Sequence, residues 1–486
     1  GIGMRFEDAI NFPWAMAVAA TGNPEYARRM GVITGREARA IGVYHVYAPV
    51  LDVNNNAGNP VINVRSYSED PETVASFGVQ FIQGIQSQNV LATAKHFPGH
   101  GDTNVDSHRG LPIIDHSLAS LEKTELVPFR AAIKGGVSSI MIGHIALPQI
   151  DGEEIKPLKE YKGGDAQPGA EIVSQKSTIP ATLSEKIQTE LLRKDMGFDG
   201  LIVTDAMSMS GLTIYFDQAE AGVRAFLAGA DILEKPADVD AMINGIIAAV
   251  KSGRIPEARL NQSVRKILAW KYELGLVKNK ITPIDQIDKI VSGKESDQLA
   301  QEIAAKAITL VRNDENAIPL DRTKRVVVLG LSNGFDGEAT MNGLGRGLRE
   351  AGVKYNAVLL QDNSSPEQIG RAREITSRAD IVIAAMYGRV RSGAKNSVGV
   401  PEAGAVILND LLASDKNIIG VAYGNPYVLT AFPQLKTYLV AYGDMSELQL
   451  ASVRAMLGTQ NITGKLPISL PGLYPRGSGI QLNKKQ

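Results

Sequence analysis

The 486-residue chain contains no cysteine. Disulfides, thiolate-ligated zinc, iron–sulfur clusters and thiol nucleophiles are therefore excluded together, while the compartment stays open, since a cysteine-free chain suits reducing and oxidising surroundings alike. Charge of one sign is also lacking. The 51 Lys+Arg stand against 52 Asp+Glu, a net of −1, so neither nucleic acid nor an anionic membrane surface is an expected partner. No apolar run reaches the roughly 18 residues of a membrane-spanning helix, and no membrane insertion is expected. The opening Gly-Ile-Gly-Met-Arg-Phe lacks the n-region and h-region of a signal peptide; it reads like the middle of a loop, as though an upstream targeting segment had been removed. Internal repeats are absent, and 48 Gly and 23 Pro are dispersed along the chain, which excludes collagen-like and disordered classes.

What is present is alternation. Short apolar, β-branched runs at 46–50, 90–97, 138–145, 200–207 and 231–234 are separated by helical patterns at 71–86, 121–134, 184–196 and 219–228. Such βαβ order implies a parallel sheet, either a closed (β/α) barrel or a doubly wound sheet. Asp52, Lys95, His96, His144 and Asp205 all fall on or just after these runs, and polar groups at the carboxyl ends of several strands suit the catalytic face of a barrel. A helix with Val264, Ile267, Leu268 and Trp270 expected toward the core closes a first domain at 1–277. Residues 278–297, rich in Lys, Asp and Ser, read as a linker. A second α/β domain over 298–486 follows, with strands at 325–330, 356–360, 381–387, 418–423 and 437–442, long enough for an α/β/α sandwich. Its tail at 464–471 reads as an edge strand because prolines exclude it from a sheet centre.

One stretch stands apart. Residues 95–108, Lys-His-Phe-Pro-Gly-His-Gly-Asp-Thr-Asn-Val-Asp-Ser-His, hold three of the six histidines. Pro98, Gly99 and Gly101 forbid a regular helix, so a mobile loop leaving a strand is expected. The same residues deny His96 and His100 the helical spacing of a zinc motif; no metal and no cofactor are expected. Asp106 and His108 form a better-defined pair: a carboxylate two residues from an imidazole fixes one nitrogen and leaves the other to exchange a proton, which is a general acid/base dyad. A nucleophile would have to come from elsewhere on the same face, and Asp205 ends the run at 200–207. As a bare residue it reads equally as the N-cap of a following helix.

At these residues the chain resembles glycoside hydrolase family 3, in its β-N-acetylglucosaminidase branch, over nearly its whole length. The loop 95–103 with Asp106 and His108 resembles the branch signature, and 200–205 the nucleophile strand. Residues 48–52 and 59–66 match further segments in order. The resemblance implies a TIM-type barrel followed by an α/β/α sandwich, a carbohydrate substrate, and a retaining reaction. In it Asp205 would form a covalent glycosyl intermediate and His108, oriented by Asp106, would act as acid and then base. Arg5, Asp52, Arg65, Lys95, His96 and Met207 would bind substrate, and glycines 99 and 101 would let the loop swing. For Arg65 the alternative is a surface ion pair with Glu69 or Asp70.

The family's acidic sugar-binding loop would lie upstream of Arg5, so a barrel without its first strand or strands and with weakened sugar binding is expected; the ending likewise leaves room for a further domain. Peptidoglycan-derived glycans and an extracytoplasmic location, periplasmic or secreted, are favoured. The alternatives are a β-glucosidase, a β-xylosidase or a phosphorylase of the same family, or an inactive carbohydrate-binding protein. Gly343, Gly345 and Gly347 sit too far beyond their strand for a dinucleotide loop.

Overall fold

The computed structural model describes residues 3, 6, 8–159, 172, 175–414 and 416–485. The first sheet is an arc of parallel strands in the order β1 (His45–Val46), β2 (Leu91–Phe97), β3 (Ser139–Ile142) and β6 (Leu201–Thr204). Helices pack outside it, among them Glu25–Ala40, Pro71–Gln86 and Leu126–Lys134. This is a barrel-type arc, with its core built from Leu51, Ala92, Ala94, Ile140, Ile142 and Ile202 between strands and helices. A separate two-stranded ribbon joins β4 (Glu154–Ile155) to β5 (Ser177–Thr178).

The second sheet has six strands in the order β7 (Thr309–Asn313), β12 (Thr437–Val440), β11 (Asn417–Ala422), β10 (Ile381–Tyr387), β8 (Val326–Ser332) and β9 (Tyr355–Gln361). All pairs are parallel except β12 with β7. Strands β8 and β10 are buried along their whole length, as a parallel sheet covered on both faces requires. The helix Lys294–Ala307 ties the halves together: Leu299, Ala300 and Ile303 enter the barrel core, while Ala304 and Ala307 enter the sandwich core. Buried polar bonds cross the same boundary, Asn54 donating to the Tyr427 hydroxyl at 2.8 Å and Asn63 to Asn425 at 3.1 Å.

Several elements differ from the sequence reading. The strand expected at 46–50 shrinks to His45–Val46, since Pro49 has no N–H to donate; pairing resumes only at Val50 opposite Lys95. The run at 231–234 contributes one pairing, Ile232 to Val203. The helix expected at 121–134 is broken into Leu118–Leu121 and Leu126–Lys134, and 184–196 forms a π-helix over Lys186–Asp195. Strand β7 was not foreseen, and the tail at 464–471 is no edge strand but makes isolated pairings such as Leu470 with Tyr474. In helix Glu257–Glu273, Ser263, Ile267 and Trp270 turn inward, leaving Val264 and Leu268 exposed, because one residue's step of 100° carries them to the outer face. Gly343, Gly345 and Gly347 lie on a helix (Asn342–Glu350) and meet Ser446, Tyr355 and Val453, a packing use of glycine rather than a phosphate cradle.

Candidate active site

The carboxyl ends of β2, β3 and β6 converge. Lys95 and His96 end β2, His144 follows β3, and Asp205 follows β6. Parallel pairing with the register Ile142 to Thr204 puts these residues on one edge of the sheet.

Asp205 is the centre of charge. Its backbone N–H donates to Ile142 O at 2.9 Å, and one carboxylate oxygen accepts the Ala206 N–H at 2.8 Å. The next helix, Ser210–Thr213, begins five residues later with Met209 as its N-cap, so Asp205 does not cap it. Burial alone would raise its carboxyl, but His96, His144, the Ala206 N–H and Lys95 together bring it down to about 2. Favourable charge and N–H donation outweigh desolvation here.

Two imidazole–carboxylate pairs flank it. Asp52 is fully buried and accepts three bonds: from His96 Nδ1 at 2.7 Å, His96 N at 3.2 Å and His100 N at 2.7 Å. Against the raising effect of burial, the attraction and hydrogen bond of His96, followed by His100, hold its carboxyl below the usual range. His100 is spanned by Thr103 Oγ1 at Nδ1 and Ser107 Oγ at Nε2, and burial pushes its imidazole down to about 4. Both nitrogens of His100 and one of His96 are thus engaged by protein, which leaves little for a metal.

The second pair is Asp106 with His108. Asp106 is buried; its Oδ1 meets His108 Nδ1 at 2.7 Å and His108 N at 2.9 Å, and its Oδ2 accepts the Gly393 N–H from the second domain at 2.7 Å. Burial raises this carboxyl, and the His108 bond, the His108 charge and the two N–H donors more than compensate, so it stays ionised. The His108 side chain is 41% exposed, so its second nitrogen is the one available for proton exchange.

The loop carrying these residues is not the mobile excursion expected. His100, Thr103, Asp106 and Ser107 are all buried. Asn59 donates to His100 O and Gly101 O at 2.8 Å, and Gly211 N donates to Ser107 O at 2.9 Å. A Cβ on Gly101 would stand 1.6 Å from Val53 O, so that glycine serves close packing of the loop on the barrel rather than a swing.

The remaining expected residues fall unevenly. Arg65 ends a short 3₁₀ turn (Asn63–Arg65), partly buried, and donates to Val61 O at 2.7 Å. Its alternative partners are occupied, Glu69 by Ser469 and Asp70 by Thr73 and Arg476. Met207, expected to bind substrate, has its side chain fully buried in an apolar cluster with Leu111, Ala146 and Leu212. Asp52 likewise has its oxygens turned to His96 and His100, so it orients those residues rather than presenting itself to a ligand. Arg5 lies outside the described residues. Glu234 was missed. It stands beyond Ile232, and burial followed by the Asp205 charge raises its carboxyl; an acidic residue closing the run at 231–234 was the available signal. His144 is fully buried between Thr182 Oγ1 and Ala206 O, just beyond the end of β6.

Comparison with known proteins identifies the family. The chain is 29% identical over 482 residues to a β-N-acetylglucosaminidase/β-glucosidase of Cellulomonas fimi, covering 96% of this chain and 82% of the relative. It is 32% identical over 338 residues to β-hexosaminidase A of Pseudoalteromonas piscicida, where 66% of this chain and about half of that protein, 53%, are spanned. Among solved structures, a family 3 β-N-acetylglucosaminidase from Paenibacillus sp. strain FPU-7 superposes with a TM-score of 0.83 at 32% identity, covering 96% of this chain and 84% of the other. A β-glucoside phosphorylase superposes with a TM-score of 0.82 at 26% identity, covering 96% and 81%. The glycosyl hydrolase family 3 N-terminal domain matches residues 1–270 and the family 3 C-terminal domain residues 308–477, and the chain is therefore a member of glycoside hydrolase family 3.

Proposed function

We propose that the chain is a retaining exo-β-N-acetylglucosaminidase that removes terminal β-linked N-acetylglucosamine from peptidoglycan-derived or similar glycans. The observation that carries this reading is the Asp106–His108 pair, a half-exposed imidazole held at Nδ1 by a buried carboxylate. Asp205, brought down to about 2, is ionised at any working pH and fits the role of nucleophile. In the first half-reaction the Asp205 carboxylate bonds to the anomeric carbon, the bond from that carbon to the aglycone oxygen breaks, and His108 gives its proton to the departing oxygen. In the second, neutral His108 takes a proton from water, the water oxygen bonds to the anomeric carbon, and Asp205 leaves with the electron pair. An imidazole suits both halves because its ordinary pKa lies near neutrality, whereas a carboxylic acid would need its own raised. Lys95, His96 and Arg65 supply hydrogen bonds to sugar hydroxyls and the N-acetyl region. The named activities of the Cellulomonas and Pseudoalteromonas relatives favour an N-acetylated glycon.

Phosphorolysis is the second reading, favoured by one fact: a neutral imidazole does not repel an incoming phosphate as a carboxylate would. Hydrolysis of an aryl β-N-acetylglucosaminide and an aryl β-glucoside at equal concentration, with wild type and Asp205→Ala, tests the assignment. Activity on the N-acetyl substrate that disappears in the variant is expected. Equal or greater glucoside activity would overturn the glycon, and sugar 1-phosphate in phosphate buffer would replace hydrolysis with phosphorolysis. A mass increment of one sugar on the peptide holding Asp205 separates an enzyme from an inert sugar-binding protein.

A further inference from the structure

In the second domain the chain runs from β8 to β9 on one side and then to β10 on the other. The gap between the carboxyl ends of β8 and β10 is the place where open α/β sheets usually bind ligands. Here the protein fills it with its own loop, 388–398. Asn333, just after β8, donates to Arg389 O at 2.9 Å and Asn396 O at 2.8 Å. Val398 N returns to Arg389 O, and Asn425 donates to Val398 O at 2.9 Å. Ser397 accepts from Arg391 N at 3.0 Å and donates to Pro60 O in the first domain. Gly393, at φ +78°, adopts the left-handed conformation that other residues resist, and its N–H is the donor that reaches Asp106 Oδ2.

We propose that this loop of the second domain is the positioning element of the general acid, with Gly393 N–H pinning Asp106 and, through it, His108. The inference rests on the reading of Asp106–His108 as the acid/base dyad. A carboxylate bound through one oxygen alone can rotate and carry its imidazole with it. Occupying Oδ2 from a second, independently anchored loop fixes the carboxylate plane and so the direction in which His108 offers its proton. The sandwich domain thus acts in catalysis through a clamp that its crevice holds for the neighbouring domain's acid.

The test compares aryl β-N-acetylglucosaminides of graded leaving-group acidity, since a misaimed acid hurts only aglycones that need protonation. Wild type, His108→Ala, Gly393→Pro, which deletes the N–H and, with φ locked at about −65°, also reshapes the loop, and Ser397→Ala, which frees the loop from Pro60, are measured alongside thermal unfolding. Gly393→Pro is expected to lower kcat/KM by about 10- to 100-fold on a phenyl substrate and under about threefold on a dinitrophenyl one. Ser397→Ala should show the same sign at about two- to fivefold, and it keeps the proposal testable should Gly393→Pro fail to fold. Losses that are equal across leaving groups, or absent, in the variants that fold overturn the inference while His108→Ala retains its leaving-group dependence. If His108→Ala itself shows none, the dyad reading falls and takes the inference with it.

Discussion

Asp52–His96 and Asp106–His108 are the same pair twice: a carboxylate joined to Nδ1 of an imidazole at 2.7 Å. What separates them is burial. His96 is 7% exposed and its carboxylate accepts two further N–H bonds within the first domain, whereas His108 is 41% exposed and its carboxylate takes one of its two further N–H bonds from the second domain. Identical local chemistry therefore yields a sealed pair in one place and an imidazole open to solvent in the other. A buried network orients what it holds, and a half-exposed one can trade protons with a substrate or water.

The largest effect should come from Asp205, the nucleophile of the proposed reaction. Asp205→Ala is expected to reduce kcat by about 10⁴-fold, as loss of a nucleophile does, with the fold retained by circular dichroism. His108→Ala should cost about 10²- to 10³-fold on substrates with poor leaving groups and leave Tm nearly unchanged. Asp52→Ala should break the comparison in the opposite way. It strands the N–H groups of His96 and His100 in the interior, so Tm should fall by an amount corresponding to about 3 kcal/mol, and the activity lost should not depend on the leaving group. Leaving-group dependence in Asp52→Ala equal to that of His108→Ala would erase the distinction drawn between the pairs.

Stability against pH sharpens it further. His100 titrates near 6.5 when unfolded and at about 4 when folded, so between those values the unfolded chain binds more protons and stability rises with pH. Its contribution is complete above about pH 6.5 and is lost as pH falls toward 4, at up to about 1.4 kcal/mol per pH unit. His144, also lowered by burial, acts in the same direction. Asp205 extends the loss from its ordinary carboxylate range down to about 2. Tm measured from pH 7 to pH 4 should fall in wild type; a flat profile would contradict the neutral, buried state of these imidazoles. The smallest effect belongs to Ser107→Ala, which removes only a 3.3 Å contact to His100 Nε2 and should cost less than about 1 kcal/mol with kcat/KM within twofold.

Much of this was legible beforehand because it is local. Asp106 and His108 are two residues apart, so their pairing needs no knowledge of the rest of the chain. Asp205 ends an apolar run, and the end of a strand is where a parallel sheet presents its chemistry. Apolar runs located β8 to β12 to within a few residues of their observed limits, most closely β8 and β10, since strands buried on both faces are apolar without interruption. Strand β7 escaped notice because Thr309–Asn313 is short and turns polar at Arg312, its place being secured by antiparallel pairing to β12. Val264 and Leu268 were placed inward on hydrophobicity alone, which cannot tell which side of an amphipathic helix finds a partner.

The sequence by itself determined the α/β alternation, the pairing of Asp106 with His108 and the place of Asp205 at the end of a strand, because each depends on spacing within a few residues or on a pattern along one strand. Tertiary structure alone decided which carboxylate–imidazole pair is sealed and which is open, that Gly101 is needed for contact with Val53, that the Asp205 charge is felt at Glu234, and that Gly393 reaches Asp106 from 287 residues away. Burial and long-range hydrogen bonds belong to neighbours far apart along the chain, and only the folded molecule brings those neighbours together.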